Sequence, residues 1–340
     1  MKSTDRIAKA NKLLNLLLAA VTVLIVVIGA AAGIRNYTDS RKMDLSYSYD
    51  STDYISGNPL ETAASAKAPS FAENLCTGAA DIALGDITFA DQEKAGLFRL
   101  DNGQILYAKG IYDKIYPASI TKIMTSLLAI EYGNMEEMVT IQPEDLALEE
   151  GSQMSGMQAG DQVTMDQLFH ALMVYSANDA AMAIARTVGG TVDHFVEMMN
   201  EKALSLGMTG THFVNPHGLH DDNHYTTVYD IYLMLNQAFS EKKFTDTMSL
   251  DSYTLTVTGA DGTQRTRYLT ATDQYLTRQK SAPENVTVLG GKTGTTSQAG
   301  NCLAIVSQNA YGVPFISIVV NAKSKTILYD DMNTLLEKIN

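Results

Sequence analysis

The feature that most constrains this chain is an uncharged run at residues 13–34, in which Asn15 and Thr22 are the only polar side chains. A run of about 22 such residues is long enough to cross a bilayer as a helix, for which roughly 20 suffice. Lys2, Arg6, Lys9 and Lys12 precede it against the single acid Asp5, and a basic flank stays on the cytoplasmic side. The expectation is a cytoplasmic N-terminus at 1–12, a signal-anchor at 13–34 and a single-pass protein whose remaining mass lies outside the cell membrane. Ala30, Ala31, Ala32 and Gly33 would also suit a signal-peptide cleavage, which would leave the protein secreted. The apolar core of a signal peptide, however, runs only about 7–15 residues, so a retained anchor is the preferred reading.

Beyond the anchor, 45% hydrophobic and 19% charged residues in a chain of 340 give room for one substantial core plus a tethered segment. The formal net charge of −13 repels phosphate backbones and removes nucleic acid from the expected partners. Cys76 and Cys302 are the only cysteines, so at most one disulfide forms, and their spacing is not that of a metal site. Residues 35–83 are rich in Ser, Thr, Tyr, Asp and Ala without an apolar period, which reads as a stalk. A folded domain is expected at 84–340.

Within that domain, short apolar runs on either side of Asp101-Asn102-Gly103 predict a β-hairpin. The spacing of Ile120, Ile123, Met124, Leu127, Leu128 and Ile130 predicts a buried helix over 119–132, between Pro117 and Gly133. Helical periods continue over 165–175, 178–188 and 191–206, and again over 228–239. Strand patterns follow at 253–257, 286–289, 303–307 and 314–320, before an amphipathic stretch at 327–339. Strands at both ends with helices between them predict an α+β fold, an antiparallel sheet covered by helices with an inserted helical lobe.

Three short motifs carry chemistry. In Ser119-Ile120-Thr121-Lys122 a hydroxyl and an amine three residues apart share one helix face, so the amine reaches the serine oxygen. Serine is too weak an acid to attack an amide at neutral pH unless a base takes its proton, and lysine serves only if burial or a second cation makes it neutral. Ser176-Ala177-Asn178 falls at the break between two apolar helices, where it can project into a cleft. Lys292-Thr293-Gly294 stands in the run Gly290-Gly291-Lys292-Thr293-Gly294-Thr295, whose glycines would let a substrate backbone approach an edge strand. Each motif alone is weak: Ser240-Glu241-Lys242-Lys243 repeats the first on a solvated helix end, and Ser307-Gln308-Asn309 repeats the second beside a hairpin turn.

Their order along the chain is that of penicillin-binding proteins and class A β-lactamases, and the match extends into the flanking residues. Tyr116-Pro117-Ala118-Ser119-Ile120-Thr121-Lys122-Ile123-Met124-Thr125, Ser176-Ala177-Asn178-Asp179-Ala180-Ala181, Asn215-Pro216-His217-Gly218-Leu219 and Lys292-Thr293-Gly294-Thr295-Thr296 closely resemble serine-type D-alanyl-D-alanine carboxypeptidases, the low-molecular-mass penicillin-binding proteins. The resemblance runs from about residue 83 to 340 and implies the β-lactamase-like transpeptidase fold. It also implies that Ser119 forms an acyl-enzyme, Lys122 accepts its proton, and Ser176 passes a proton to the departing D-alanine. Lys292, Thr293 and Thr295 would bind the substrate carboxylate, and Asn178 would hold the peptide or orient Lys122. The N–H groups of Ser119 and Thr295 would form the oxyanion hole. The implied partners are a peptidoglycan stem peptide ending in D-Ala-D-Ala and β-lactams, with no cofactor and no metal. Many relatives carry a further β-rich domain and a C-terminal amphipathic anchor, a role that residues 13–34 are expected to take over here.

Three other readings compete with this one. His217, His220, Asp221, Asp222 and His224 form a zinc-like cluster, but Pro216 and Gly218 break the helix that such a site needs, so a loop is expected. A β-lactamase requires a water-activating carboxylate, for which Glu201 in Glu201-Lys202-Ala203-Leu204 is the look-alike, on a helix that reads as surface. A penicillin-binding sensor that acylates without turnover would share all three motifs.

Overall fold

The computed structural model describes residues 75–85 and 87–340. The run at 13–34 and most of the stalk lie outside them; among the described residues no helix is long and apolar enough to cross a membrane. The last stalk residues belong to the folded domain: Cys76 is fully buried, its N–H donating to Tyr232 Oη at 2.8 Å, and Ile82 bridges Ala108. The polar composition around them concealed this attachment.

The expected hairpin forms from β1 (Lys94–Arg99) and β2 (Gln104–Lys109), with Gly103 at φ +68° in the turn. Three late strands, β7 (Thr287–Thr296), β8 (Gly300–Gln308) and β9 (Pro314–Ala322), complete a five-stranded antiparallel sheet in the order β2-β1-β9-β8-β7. Both faces of this sheet are covered, which explains why Ile316-Ser317-Ile318-Val319-Val320 is apolar without strict alternation. On one face Leu97, Leu303, Ile305 and Val319 pack with Leu328, Met332 and Leu335 of the C-terminal helix α7 (Lys325–Leu336). On the other, Phe98, Ala304, Val306, Ile316 and Ile318 join the larger core built by the helical lobe. Each of these Leu, Ile, Val, Met and Phe side chains contributes roughly 1.5–3 kcal/mol on burial.

The lobe follows the predicted periods. A single 3-10 turn (Ala118–Thr121) leads into α1 (Lys122–Tyr132), whose residues from Lys122 to Ala129 are all buried. Then come α2 (Met165–Val174), α3 (Asn178–Gly189) and α4 (Val192–Ser205), followed by α5 (Val228–Phe239). Polar residues set the starts: Thr164 and Gln167 form a capping box before α2, and Thr191, Thr227 and Ser324 cap α4, α5 and α7. The structure adds a second, four-stranded sheet in the order β3-β4-β5-β6, from β3 (Met138–Thr140), β4 (Gln162–Thr164), β5 (Ser252–Thr258) and β6 (Gln264–Thr270). It also adds the short helix α6 (Lys242–Met248). The two cysteines are free, buried thiols.

Candidate active site

Three segments distant in sequence converge on one cleft. The 3-10 turn before α1 presents Ser119, which is half-buried, while Lys122 starts the helix proper and is fully buried. The break between α2 and α3 carries Ser176, a non-glycine residue at φ +65°. Such left-handed backbone costs of order 1 kcal/mol or more and persists only where its surroundings over-determine it. Asn178 begins α3, and Lys292, Thr293, Gly294 and Thr295 lie within β7, the edge strand of the five-stranded sheet. Ser119, Ser176, Asn178, Thr293 and Thr295 line the cleft, with the two lysines buried behind them.

Lys122 Nζ has three contacts: Ser119 Oγ at 2.9 Å, Asn178 Oδ1 at 2.7 Å and the His217 carbonyl at 2.6 Å. Two of these partners can only accept. A neutral amine therefore directs its two hydrogens to Asn178 and His217, leaving its lone pair for the Ser119 hydroxyl. The electrostatics favour that state: burial first, then the charge of Lys292, hold the Lys122 pKa well below the ordinary lysine value, against an opposing pull from Asp179. Lys292 Nζ donates to Ser176 Oγ at 2.8 Å and to the Thr293 carbonyl at 3.0 Å. Burial lowers its pKa to about 7, with Asp273 opposing. The candidates thus form two lysine–serine pairs, Lys122–Ser119 and Lys292–Ser176. Thr293 Oγ1 shares a 2.6 Å hydrogen bond with Thr272 Oγ1, and Thr295 Oγ1 is 3.4 Å from Asn301 Oδ1.

The glycines around Lys292 do something other than expected. A Cβ on Gly290 would lie 2.0 Å from the Met248 carbonyl oxygen, and one on Gly291 would lie 2.1 Å from that of Ala304. Both therefore admit protein backbone, not substrate. Gly294 is the one that serves the site: a Cβ there would meet Ser119 N at 2.9 Å and the Pro117 carbonyl at 3.0 Å. Its bareness brings the main-chain N–H of Ser119 against β7.

The Asn215-Pro216-His217-Gly218-Leu219 loop supports the site from below. Thr125 Oγ1 donates to the Pro216 carbonyl at 2.6 Å, and His217 hands its own carbonyl to Lys122. His224 accepts the Val214 N–H on Nδ1 at 3.1 Å, so its proton sits on Nε2, which is 2.8 Å from Thr121 Oγ1; that hydroxyl donates to the Ala118 carbonyl. Both rings are held neutral, burial pushing His217 to about 3 and His224 to about 4. Both nitrogens of His224 are thus engaged, Nε2 with the turn that bears Ser119 and Nδ1 with Val214. His220 stacks edge-on against Tyr116, and Asp222 is exposed.

Sequence reasoning missed several residues at the cleft. Gly151, Ser152 and Gln153, from the loop between β3 and β4, line it, as do Thr272 and Lys325. Asp179, directly after Asn178, is fully buried. Nothing in the spacing of these residues pointed to the site, because their partners are tens of residues away. Glu201 is exposed on α4 and is not among the residues lining the cleft.

A family model for D-alanyl-D-alanine carboxypeptidases matches residues 90–324. The chain belongs to this family. Its relatives include the D-alanyl-D-alanine carboxypeptidase DacF of Bacillus subtilis (strain 168), 30% identical over 217 residues, or 63% of this chain and 53% of the relative. The D-alanyl-D-alanine carboxypeptidase DacC of Escherichia coli (strain K12) is 30% identical over 245 residues, or 69% of this chain and 58% of the relative. The chain thus spans a little over half the length of these relatives. Among solved structures, the Streptomyces K15 DD-transpeptidase is similar with a TM-score of 0.66 at 26% identity, covering 72% of this chain and 94% of that one. The D-alanyl-D-alanine carboxypeptidase DacD from Francisella tularensis shares the fold, with a TM-score of 0.65 at 23% identity.

Proposed function

We propose that this chain is a serine-type D-alanyl-D-alanine carboxypeptidase acting on peptidoglycan stem peptides outside the cell membrane, held there by residues 13–34 with a stalk behind the folded domain. The observation that carries the reading is the fully buried Lys122 amine, 2.9 Å from Ser119 Oγ and otherwise contacting only acceptors. A site built in this way favours an unprotonated lysine next to a serine hydroxyl, which is the requirement for nucleophilic attack on an amide.

Ser119 Oγ attacks the carbonyl carbon of the penultimate D-alanine as its proton passes to Lys122. The resulting oxyanion is received by the N–H groups of Ser119 and Thr295, each worth about 3 kcal/mol if removed. Ser176 delivers its proton to the terminal D-alanine nitrogen and is resupplied with the proton that Lys122 took from Ser119, so that Lys122 is neutral again as the C–N bond breaks and an ester to Ser119 remains. Water then attacks the ester as Lys122 takes its proton; the ester bond to Ser119 Oγ breaks, Lys122 returns that proton to the serine oxygen, and the shortened peptide leaves with both residues restored. Lys292, with the hydroxyls of Thr293 and Thr295, attracts the terminal carboxylate, and Asn178 turns its carbonyl to Lys122 and its amide N–H groups toward the peptide. β-Lactams enter as mimics of the substrate and stay as slow esters.

The test is to incubate the full-length protein with a stem peptide ending in D-Ala-D-Ala and, separately, with a fluorescent penicillin. Repeated release of D-alanine and a long-lived penicillin adduct are expected, and Ser119→Ala should lose both. A stable adduct without D-alanine release would make the protein a penicillin-binding sensor. Rapid penicillin hydrolysis would make it a β-lactamase, a reading weakened by the absence of any Asp or Glu among the described residues that line the cleft.

A further inference from the structure

Asp179 is a buried carboxylate with no cation in contact among the described residues, and it stands next to the residue that holds Lys122. Such a group survives in a fold only where hydrogen bonds replace its lost water. Its donors come largely from one distant residue. Ser155 gives its main-chain N–H to both carboxylate oxygens at 3.0 Å and its hydroxyl to Oδ2 at 2.7 Å; Ala180 N–H adds a bond at 3.0 Å. The first turn of α3, where Asp179 lies, favours negative charge as well.

Two further bonds run beside this clasp. Asn178 N–H donates to the Gln153 carbonyl at 2.8 Å, and the Gln153 side-chain amide donates to the Tyr175 carbonyl. Residues 153–155 are thereby laced to residues 175–179, the segment that carries Ser176 in its left-handed conformation. Since Gly151, Ser152 and Gln153 line the cleft, the lacing fixes a wall of the site and the Ser176–Asn178 backbone as one piece.

We propose that Asp179 is a positioning residue of the acyl-enzyme reaction: through Ser155 it fixes the cleft-lining loop, and through Asn178 and its own charge it governs Lys122. The inference rests on the proposed function of the site. Asp179 is the carboxylate whose charge opposes the loss of basicity that burial and Lys292 impose on Lys122. The other titratable groups around that amine are Lys292 and the neutral imidazoles of His217 and His224. Without Asp179, Lys122 would be a weaker base.

Two substitutions separate the two effects. Asp179→Asn removes the charge and turns a donor toward Ser155, whereas Ser155→Ala leaves the charge and the main-chain bond but deletes the hydroxyl. For full-length protein, penicillin acylation and D-alanine release are followed from pH 5 to 9, with thermal melting recorded in parallel. Asp179→Asn should acylate about 10–100-fold more slowly at pH 7, the scale of a small misplacement in a reacting pair. Its acidic limb, where Lys122 takes up a proton, should move to lower pH. Ser155→Ala should raise KM for the peptide about fivefold or more, with the limb unmoved. A rate loss in Asp179→Asn that merely follows a lowered melting temperature, with the limb in place, overturns the inference. So does an unchanged KM in Ser155→Ala, which keeps the test open should Asp179→Asn fail to fold. Wild-type protein that takes no penicillin sinks the reading of the site itself; wild-type protein that takes it beside an unaltered Asp179→Asn sinks only the role of Asp179.

Discussion

Two lysines share this site, and the proposed mechanism requires their charges to differ. It needs Lys122 neutral to accept a proton and Lys292 cationic to draw a carboxylate. Burial disfavours charge on both, and the cation at Lys292 further disfavours one at Lys122. Because the Lys292 pKa lies near 7, raising the pH through that value discharges it. The KM for a D-Ala-D-Ala peptide should therefore climb above about pH 7 in the wild type. Lys292→Gln should show a KM raised about tenfold or more at pH 6 and flat with pH, the loss expected of a charge-assisted bond. The same substitution relieves Lys122, so the acidic limb of acylation should move to higher pH, opposite to its movement in Asp179→Asn. A Lys292→Gln protein with wild-type KM would remove that residue from carboxylate binding. The pairing of Lys122 with Ser119 was legible in the sequence because three residues along a helix put both on one face, whereas that of Lys292 with Ser176, 116 residues apart, was not. Asp179 with Ser155, 24 residues apart, and Thr121 with His224, 103 apart, left no local trace, since only the fold brings them together.

At the level of elements, long periodic segments were read nearly to their ends, as α5 (Val228–Phe239) illustrates. β3 and β4 were missed because three residues are too few to establish a period. β6 was missed because Gln264-Arg265-Thr266-Arg267-Tyr268-Leu269-Thr270 buries only Leu269, so its alternation carries no apolar signal. The connections matter to catalysis as much as the elements do, and Gly218 makes this testable. It has φ +86°, and a Cβ would lie 1.9 Å from the Ala118 carbonyl oxygen and 2.9 Å from Thr121 Oγ1. These atoms are mostly backbone of the nucleophile turn and cannot swing aside. Gly218→Ala should cost about 2–4 kcal/mol of stability, combining left-handed strain with a steric clash. It should also slow penicillin acylation, because His217, next in the chain, would carry its carbonyl away from Lys122. Gly262 provides the control, with φ +80° and nothing within 4 Å of a Cβ. Gly262→Ala should cost only about 1 kcal/mol and leave acylation at the wild-type rate. Equal effects of the two substitutions on melting and acylation would contradict the steric argument.

On the scale of the whole molecule, the five-stranded sheet separates two apolar cores, and the cleft opens along its β7 edge, where the helical lobe and α7 both reach it. The proposed chemistry therefore depends on buried groups whose charge the surrounding fold sets, with His224 among those held neutral. This should be visible in the response of the folded state to acid. His224 is 2% exposed, and its Nδ1 faces the Val214 N–H, so a second ring proton would have no acceptor there. Burial holds its pKa at about 4, against 6.5 for an exposed ring. Between those values the unfolded chain binds a proton that the folded chain refuses. Stability is thus retained above about pH 6.5 and lost as the pH falls toward 4, by the order of 3 kcal/mol from this residue. For a domain of this size such a loss corresponds to roughly 6–12 °C in melting temperature. His224→Gln keeps an N–H for Thr121 but cannot titrate. Other groups that titrate in this range, Asp273 at about 6 among them, remain in both proteins and cancel in the comparison. The fall in melting temperature between pH 7 and 4 should accordingly be shallower in His224→Gln, even if its stability at pH 7 is lower. Parallel curves would mean that the ring accepts its proton in the folded state, and that the turn bearing Ser119 is held by something other than a neutral imidazole.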